Sequence, residues 1–295
     1  MVTQTIQHVA DTALWVAHYR AQETERRDAL FSDPFAELLV GEQGRAIANS
    51  MGKISRYVAW SVVIRTVVID RMIETLVGEG VDTVVNLGAG MDTRPYRMKF
   101  PDTLCWVEVD YAQVIDHKER TLGHKKPLVV LERHRLDLAD QKARQDFLKS
   151  IAARGSKVLF ITEGVIPYLT EADVAALAAD LRSLVPRAFW ITEYMAPSIY
   201  YHLRNPKRMR RMKNAPFQFF PNDWLRFFSD RGWAARSIRY LGEESTKLGR
   251  PQPLPWWSKV LLSLTSPRRA KGALNATGYM LLEQGSDAPT APRME

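Results

Sequence analysis

Cysteine is nearly absent: Cys105 is the single one in 295 residues. No disulfide framework can form, and the six histidines are too scattered for a Cys/His metal site. Cys105 lies inside an apolar run and reads as a small core residue. No stretch approaches the ~18 consecutive apolar residues of a membrane span. Residues 1–10 carry neither a basic segment nor an apolar one, so no secretory signal is expected and the expected location is the cytoplasm. Charge is unbalanced, with a formal net charge of +8. Arg204 to Lys213 alone holds six bases and no acid. Such a run suits an anionic partner or a solvated helix face on an insertion. Without a nucleic-acid-binding fold, the solvated face is the simpler reading, and no nucleic-acid or membrane partner is expected.

What is present is ordinary globular material, 46% hydrophobic and 25% charged. The length suits one large α/β domain with insertions or two small domains. Residues 1–80 read as helical. Leu14, Ala17, His18 and Ala21 follow helical spacing, Ser32-Asp33-Pro34 is a helix start, and 55–77 is a long apolar helix stopped by Gly78 and Gly80. From there the chain alternates. Strands are expected at 83–87, 104–109, 128–131, 158–162 and 188–192. Helices are expected at 111–122, 141–153 and 171–184, which predicts a doubly wound, mostly parallel sheet over 81–195. The rhythm breaks at 196–232, rich in Tyr, Arg and Met, which reads as a helical cap. Within 233–284, late strands at 235–241 and 277–283 flank a Pro/Trp-rich insertion. Residues 285–295 read as a flexible tail.

The segment Asn86-Leu87-Gly88-Ala89-Gly90-Met91-Asp92-Thr93-Arg94 marks the turn after the first strand. Ligands of such sheets bind beyond the carboxyl ends of the strands, at the switch in strand order. Asp92, Asp110, Asp137, Glu163 and Glu193 all fall at such ends. If the first strand is central, Asp110 and Glu163 flank the glycine turn. Gly88 and Gly90 let the backbone approach a ligand, or simply make a tight turn. Asp110 suits ribose hydroxyls, or caps the following helix; both roles are compatible. A glycine turn with an acid 22 residues after Gly88 is the layout of a nucleoside-binding domain.

A dinucleotide site is disfavoured. The third position of Gly-x-Gly-x-x-Gly is Thr93, and Asp92 would repel phosphates. A cofactor bearing a positive sulfonium and an amino group suits a pocket rimmed by acids better. Arg65 is the other anomaly, because Val62-Val63-Ile64-Arg65-Thr66-Val67-Val68-Ile69 surrounds it with apolar residues. It needs a partner, either Asp70 or another protein acid, or the carboxylate of a ligand.

These motifs resemble the leucine carboxyl methyltransferase family, including its bacterial branch similar to the tetracenomycin polyketide carboxyl methyltransferase. The matching pieces are Thr12-Ala13-Leu14 with Tyr19-Arg20-Ala21-Gln22-Glu23, Asp33-Pro34-Phe35-Ala36, Ile64-Arg65-Thr66 with Ile69-Asp70, and Asn86 through Arg97. Glu108-Val109-Asp110, Asp137-Leu138 and Glu163-Gly164-Val165-Ile166-Pro167-Tyr168-Leu169 complete them. The resemblance implies a class I, Rossmann-like methyltransferase with a seven-stranded sheet, using S-adenosylmethionine. It implies Arg65 on the methionine carboxylate, Gly88 under the methionine part, Asp110 on the ribose, Asp137 and Leu138 at the adenine, and Glu163 facing the amino group. Past about residue 195 it fades.

The implied reaction is in-line transfer of a methyl group to an acceptor oxygen, where alignment and exclusion of water do most of the work. A carboxylate acceptor needs no general base, which suits a chain with no histidine at a strand end. Arg94, Arg20 and the Arg204–Lys213 run are candidate cations for it, against structural ion pairs. Tyr168, Tyr194, Tyr200 and Tyr201 are candidates for an aromatic acceptor pocket, or for core and cap packing. A hydroxyl or phenol acceptor would want a base, with Glu193 the first candidate. A nicotinamide-dependent oxidoreductase is the remaining alternative. The expected partner is a small apolar or aromatic acid, and no metal is expected.

Overall fold

The computed structural model describes residues 9–50, 55–154, 157–205, 216–255 and 266–285. Three helices come first: α1 (Val9–Thr24), α2 (Pro34–Ser50, broken at Gly41) and α3 (Ser55–Gly78). Then strands and helices alternate through β1 (Thr83–Leu87), α4 (Arg94–Arg97), β2 (Cys105–Asp110), α5 (Ala112–Leu122), β3 (Val130–Arg135) and α6 (Gln141–Ala152). They continue through β4 (Val158–Ile161), α7 (Glu171–Leu184), β5 (Ala188–Met195), β6 (Trp233–Tyr240) and β7 (Thr277–Gln284).

The seven strands form one sheet in the order β3-β2-β1-β4-β5-β7-β6. The first five run parallel, and β7 is antiparallel to both neighbours. β1 is central, with β2 on one side and β4 on the other, so the strand order reverses beside it. β1 and β4 are buried along their whole length, as expected of parallel strands covered on both faces. One core layer packs α6, α7 and the Trp224–Ser229 helix on the sheet; the other packs α3 on the opposite face. Leu14, Ala17, Leu39 and Val40 of the first two helices pack against Met91, Tyr96, Val114 and Leu122. The N-terminal helices are thereby fastened over the carboxyl end of β1.

Strand bounds depart from expectation where tertiary pairing outweighs local hydropathy. β3 begins at Val130, not 128, and runs on through Glu132, Arg133, His134 and Arg135. It is an edge strand, paired with β2 from Cys105↔Val130 to Asp110↔Arg135, so charge is tolerated and blunts the open edge. β5 extends to Met195 because β7 pairs it from Phe189↔Glu283 to Met195↔Thr277. Glu193 therefore lies within β5 rather than beyond it. Cys105 is only half-buried. Its Sγ lies 3.3 Å from Arg154 Nη1 and 3.7 Å from Glu132 Oε1, so it packs at the margin of the core with polar neighbours on one side. Among the described residues no helix is long and apolar enough to cross a membrane.

Candidate functional site

The turn after β1 is built from its glycines. Gly88 has φ +73° and Gly90 φ +47°, in the left-handed region open to glycine at little cost. A Cβ on Gly88 would sit 2.5 Å from Val165 Cγ2, so the segment after β4 closes directly on this turn. The Gly88 and Ala89 amides donate to Val109 O at 2.8 and 3.0 Å, carrying the β2 pairing past the end of β1. Asp110 Oδ2 accepts the Gly90 N–H at 2.7 Å, and Oδ1 accepts the Tyr111 N–H at 2.7 Å. Asp110 thus braces the turn and the start of α5, and its remaining lone pairs border a cavity. Burial pushes its carboxyl up from the usual range, against those two amide bonds.

That cavity has a volume of about 640 Å³, a size suited to a nucleoside-sized ligand. Its wall includes Arg65, Gly88, Gly90, Asp92, Asp110, Asp137, Leu138, Glu163 and Tyr168. Residues from five separate stretches of sequence are brought together at the switch point. Asp137 accepts the Ala139 N–H at 2.9 Å, and its carboxylate also hydrogen-bonds the Tyr111 side chain.

An ionic cluster underlies one side of the cavity. Arg94, 2% exposed, places Nε 2.6 Å from Asp70 Oδ1, and Nη1 2.9 Å from both Asp92 Oδ2 and Glu163 Oε2. Arg97 adds a two-pronged contact to Asp70 at 2.7 and 2.9 Å. Asp92 is further held by Asn86 Nδ2 at 2.7 Å and the Arg94 N–H at 2.9 Å. Burial works against the Asp92 charge, but Arg94, Lys118 and Arg20 outweigh it and hold the carboxyl well below its usual range. Glu163 follows the same balance, with burial opposed by Arg94 and Arg65, and its carboxyl also lies low.

Arg65 pairs with Glu163, not Asp70: its Nε lies 2.9 Å from Glu163 Oε1. The N–H is not directed at that oxygen, and Arg65 Nε is a buried donor without a hydrogen bond. A largely buried guanidinium on a cavity wall, its side chain 18% exposed and its Nε unused as a donor, is the feature expected where a ligand carboxylate binds.

The structure separates other candidates from the cavity. Arg94 is absent from its wall, buried among three carboxylates. Glu193 is absent too, 4% exposed, with Oε1 accepting the amides of Gly164 and Val165. Arg20 does line the cavity, but its Nε bonds Asp33 Oδ2 at 2.8 Å and its Nη2 donates to Met91 O. Asp33 also takes the Thr93 hydroxyl at 2.7 Å, so this pair ties α1 and the start of α2 to the glycine turn. Tyr194 packs on Trp224 and Tyr240. The Tyr200 hydroxyl donates to Pro221 O and accepts from Trp224 Nε1. Tyr201 is 82% exposed. Of the four tyrosines only Tyr168 lines the cavity, edge-on to Phe217. Of the basic run, Arg204 stacks over Phe220 at 4.4 Å, and 206–213 lie outside the described residues.

Sequence reasoning missed the rest of the wall, where Thr12, Trp15 and Val16 of α1, Tyr57, Val58 and Ser61 of α3, and His202 take part. The signal was present in α3, because Tyr57, Ser61 and Arg65 recur at four-residue spacing and share a face.

A family model described as leucine carboxyl methyltransferase matches residues 13–182, which span α1 to α7. The chain belongs to the leucine carboxyl methyltransferase family. A Streptomyces coelicolor relative named "Putative S-adenosyl-L-methionine-dependent methyltransferase" is 34% identical over 181 residues, 58% of this chain and 63% of that protein, just under two thirds of its length. A Mycobacterium sp. relative of the same name is 27% identical over 282 residues, 83% of this chain and 89% of its own length. The fold is shared with a crystal structure titled a "putative methyltransferase" from Thermobifida fusca, at TM-score 0.56 and 18% identity over 85% of this chain and 93% of that one. A DUF574 family protein of Streptomyces avermitilis matches at TM-score 0.56 and 12% identity over 92% and 97%. This family member is an S-adenosylmethionine-dependent methyltransferase, and the nicotinamide alternative falls away.

Proposed function

We propose that this methyltransferase esterifies a carboxylate of a small apolar or aromatic acid. The supporting observation is that every carboxylate on the cavity wall is already engaged. Asp92 is bound to Asn86 and Arg94, Asp110 to two backbone amides, Asp137 to Tyr111 and the Ala139 amide, and Glu163 to two arginines. A hydroxyl acceptor must give up a proton during transfer, whereas a carboxylate arrives ionised and asks for no base.

When bound, the cofactor supplies an electrophilic methyl group on a sulfonium sulfur. The chain's own residues bind and align. Arg65 holds the methionine carboxylate, and Glu163, kept ionised by Arg94 and Arg65, faces the amino group. Gly88 and Gly90 leave room beside the methionine part, Asp110 takes the ribose hydroxyls, and Asp137 with Leu138 borders the adenine. Trp15, Val16, Val58 and Phe217 make much of the remaining wall apolar, which excludes water and suits an apolar acceptor. In this reading 1–80 is a helical segment packed on the core, 81–195 the cofactor-binding core, and 196–232 the acceptor-side cap; 233–284 completes the sheet. The reaction is assigned to the cytoplasm.

One observation favours a second acceptor class. His202 lines the cavity, and an imidazole can take the proton of a phenol or alcohol. A panel of carboxylic acids and phenols incubated with methyl-labelled cofactor separates the two. Label in base-labile esters, retained by His202→Ala, supports the carboxylate reading. Label in stable ethers only, lost in His202→Ala, overturns it.

A further inference from the structure

We infer that Glu193 is a positioning residue for cofactor binding: from β5 it holds the Gly164–Val165 turn that presents Glu163 and closes on Gly88. The inference rests on the cofactor assignment above.

The sequence repeats itself at two neighbouring strand ends, Ile161-Thr162-Glu163 and Ile191-Thr192-Glu193. The sheet puts the copies side by side. Ile161 and Ile191 are register partners. The Thr162 N–H donates to Ile191 O at 3.0 Å, and the two threonine hydroxyls meet at 3.1 Å. Two glutamates therefore leave adjacent strands at one level, and like charges so placed need separate partners. Glu163 takes Arg65 on the cavity wall and Arg94 behind it. Glu193 stays inside, and its Oε1 accepts the amides of Gly164 and, at 3.2 Å, Val165.

Those amides belong to the turn that follows Glu163. Gly164 has φ +75°, a conformation that side-chain-bearing residues resist. Val165 then lies against Gly88 so closely that a Cβ there would meet Val165 Cγ2 at 2.5 Å. One carboxylate oxygen thus links the strand β5 to both the acid and the glycine turn of the cofactor site. A backbone turn with two satisfied amides is a rigid mount for the side chain it carries.

The groups facing Glu193 are its own backbone N–H, the two amides after β4, Arg65 from α3, Tyr279 from β7, and the Thr192 hydroxyl 3.3 Å from Oε2 on its own strand. Burial pushes its carboxyl up to about 7, against the pull of the backbone amides and Arg65. Its ionised form predominates above that pH. Amides bond a carboxylate more strongly than a neutral carboxyl, so the turn is held most firmly on the alkaline side. Affinity for the cofactor falls as pH drops through about 7.

The test is calorimetric titration of S-adenosylhomocysteine into wild type, Glu193→Ala and Glu193→Gln between about pH 6 and about pH 8, with circular dichroism to establish folding. Glu193→Ala is expected to raise Kd about tenfold or more, the value of one charge-assisted hydrogen bond. Glu193→Gln keeps an acceptor oxygen and is expected within about threefold of wild type at neutral pH, but with the pH step gone. Wild-type affinity in folded Glu193→Ala overturns the inference, as does a pH step that survives in Glu193→Gln. If the Ala variant does not fold, the Gln profile decides alone. If wild type does not bind S-adenosylhomocysteine at any pH, the cofactor assignment fails and this inference fails with it.

Discussion

Replacing Gly88 with alanine probes the contact on which the glycine turn after β1 depends. The added Cβ meets two penalties. At φ +73° a side-chain-bearing residue pays about 1–2 kcal/mol in backbone strain. The approach of 2.5 Å to Val165 Cγ2 is an overlap that must be relieved by movement, at about 1–3 kcal/mol. Stiffening of the unfolded chain offsets about 0.4–1 kcal/mol. The net loss is about 1–5 kcal/mol, or about 2–7 °C in Tm for a chain of this size. Relief requires Val165 to retreat, which moves the turn carrying Glu163, so affinity for S-adenosylhomocysteine falls as well. Gly80 is the control. It has φ +92° with nothing within 4 Å of a Cβ, so Gly80→Ala pays strain alone and binds normally. Val165→Ala removes the clashing methyl, and the Gly88→Ala/Val165→Ala pair should be less destabilised than the sum by about 1–2 kcal/mol. Thermal melts and calorimetry of the four variants test this. A Gly88→Ala protein no worse than Gly80→Ala, or a strictly additive double variant, refutes the reasoning.

Arg65→Ala should fold, because Glu163 keeps Arg94 as a partner, and should weaken S-adenosylhomocysteine binding at least about thirtyfold through loss of a buried charged contact; unchanged affinity by calorimetry removes Arg65 from the site. The low carboxyls of Asp92 and Glu163 have a signed consequence. A carboxyl lowered in the folded state contributes stability above its unfolded value of about 4, and that stability is lost as pH falls further. Urea midpoints followed between about pH 5 and about pH 2.5 should therefore drop, and less steeply in Asp92→Asn; parallel profiles count against the ionic cluster.

Many residues of the candidate site were singled out before any fold was known, for identifiable reasons. Gly88, Gly90 and Asp110 lie on a local pattern, a strand, a glycine turn, a helix and an acid at the next strand's end, whose geometry is set within some thirty residues. Arg65 was conspicuous because a charge in an apolar helix demands a partner. Its partner was not legible: Asp70 was near in sequence, but Glu163 lies nearly one hundred residues away and Asp70 went to Arg94 and Arg97. Arg94 stayed open between an acceptor cation and a structural ion pair, because Asp92 is two residues away but Asp70 and Glu163 reach it from distant helices and strands. Glu193 read as a base at a strand end because the antiparallel β7, which lengthens β5 past it, comes more than eighty residues later.

The sequence by itself determined the alternation of elements, the central glycine turn and the acids near it, since these follow from short-range periodicity and backbone freedom. Only the tertiary structure decided which charge meets which. Ion pairing in a buried site depends on distances across strands and helices far apart in the chain. The same glycine turn takes its shape from its own residues, and its closure from Val165, held in place by a glutamate on another strand.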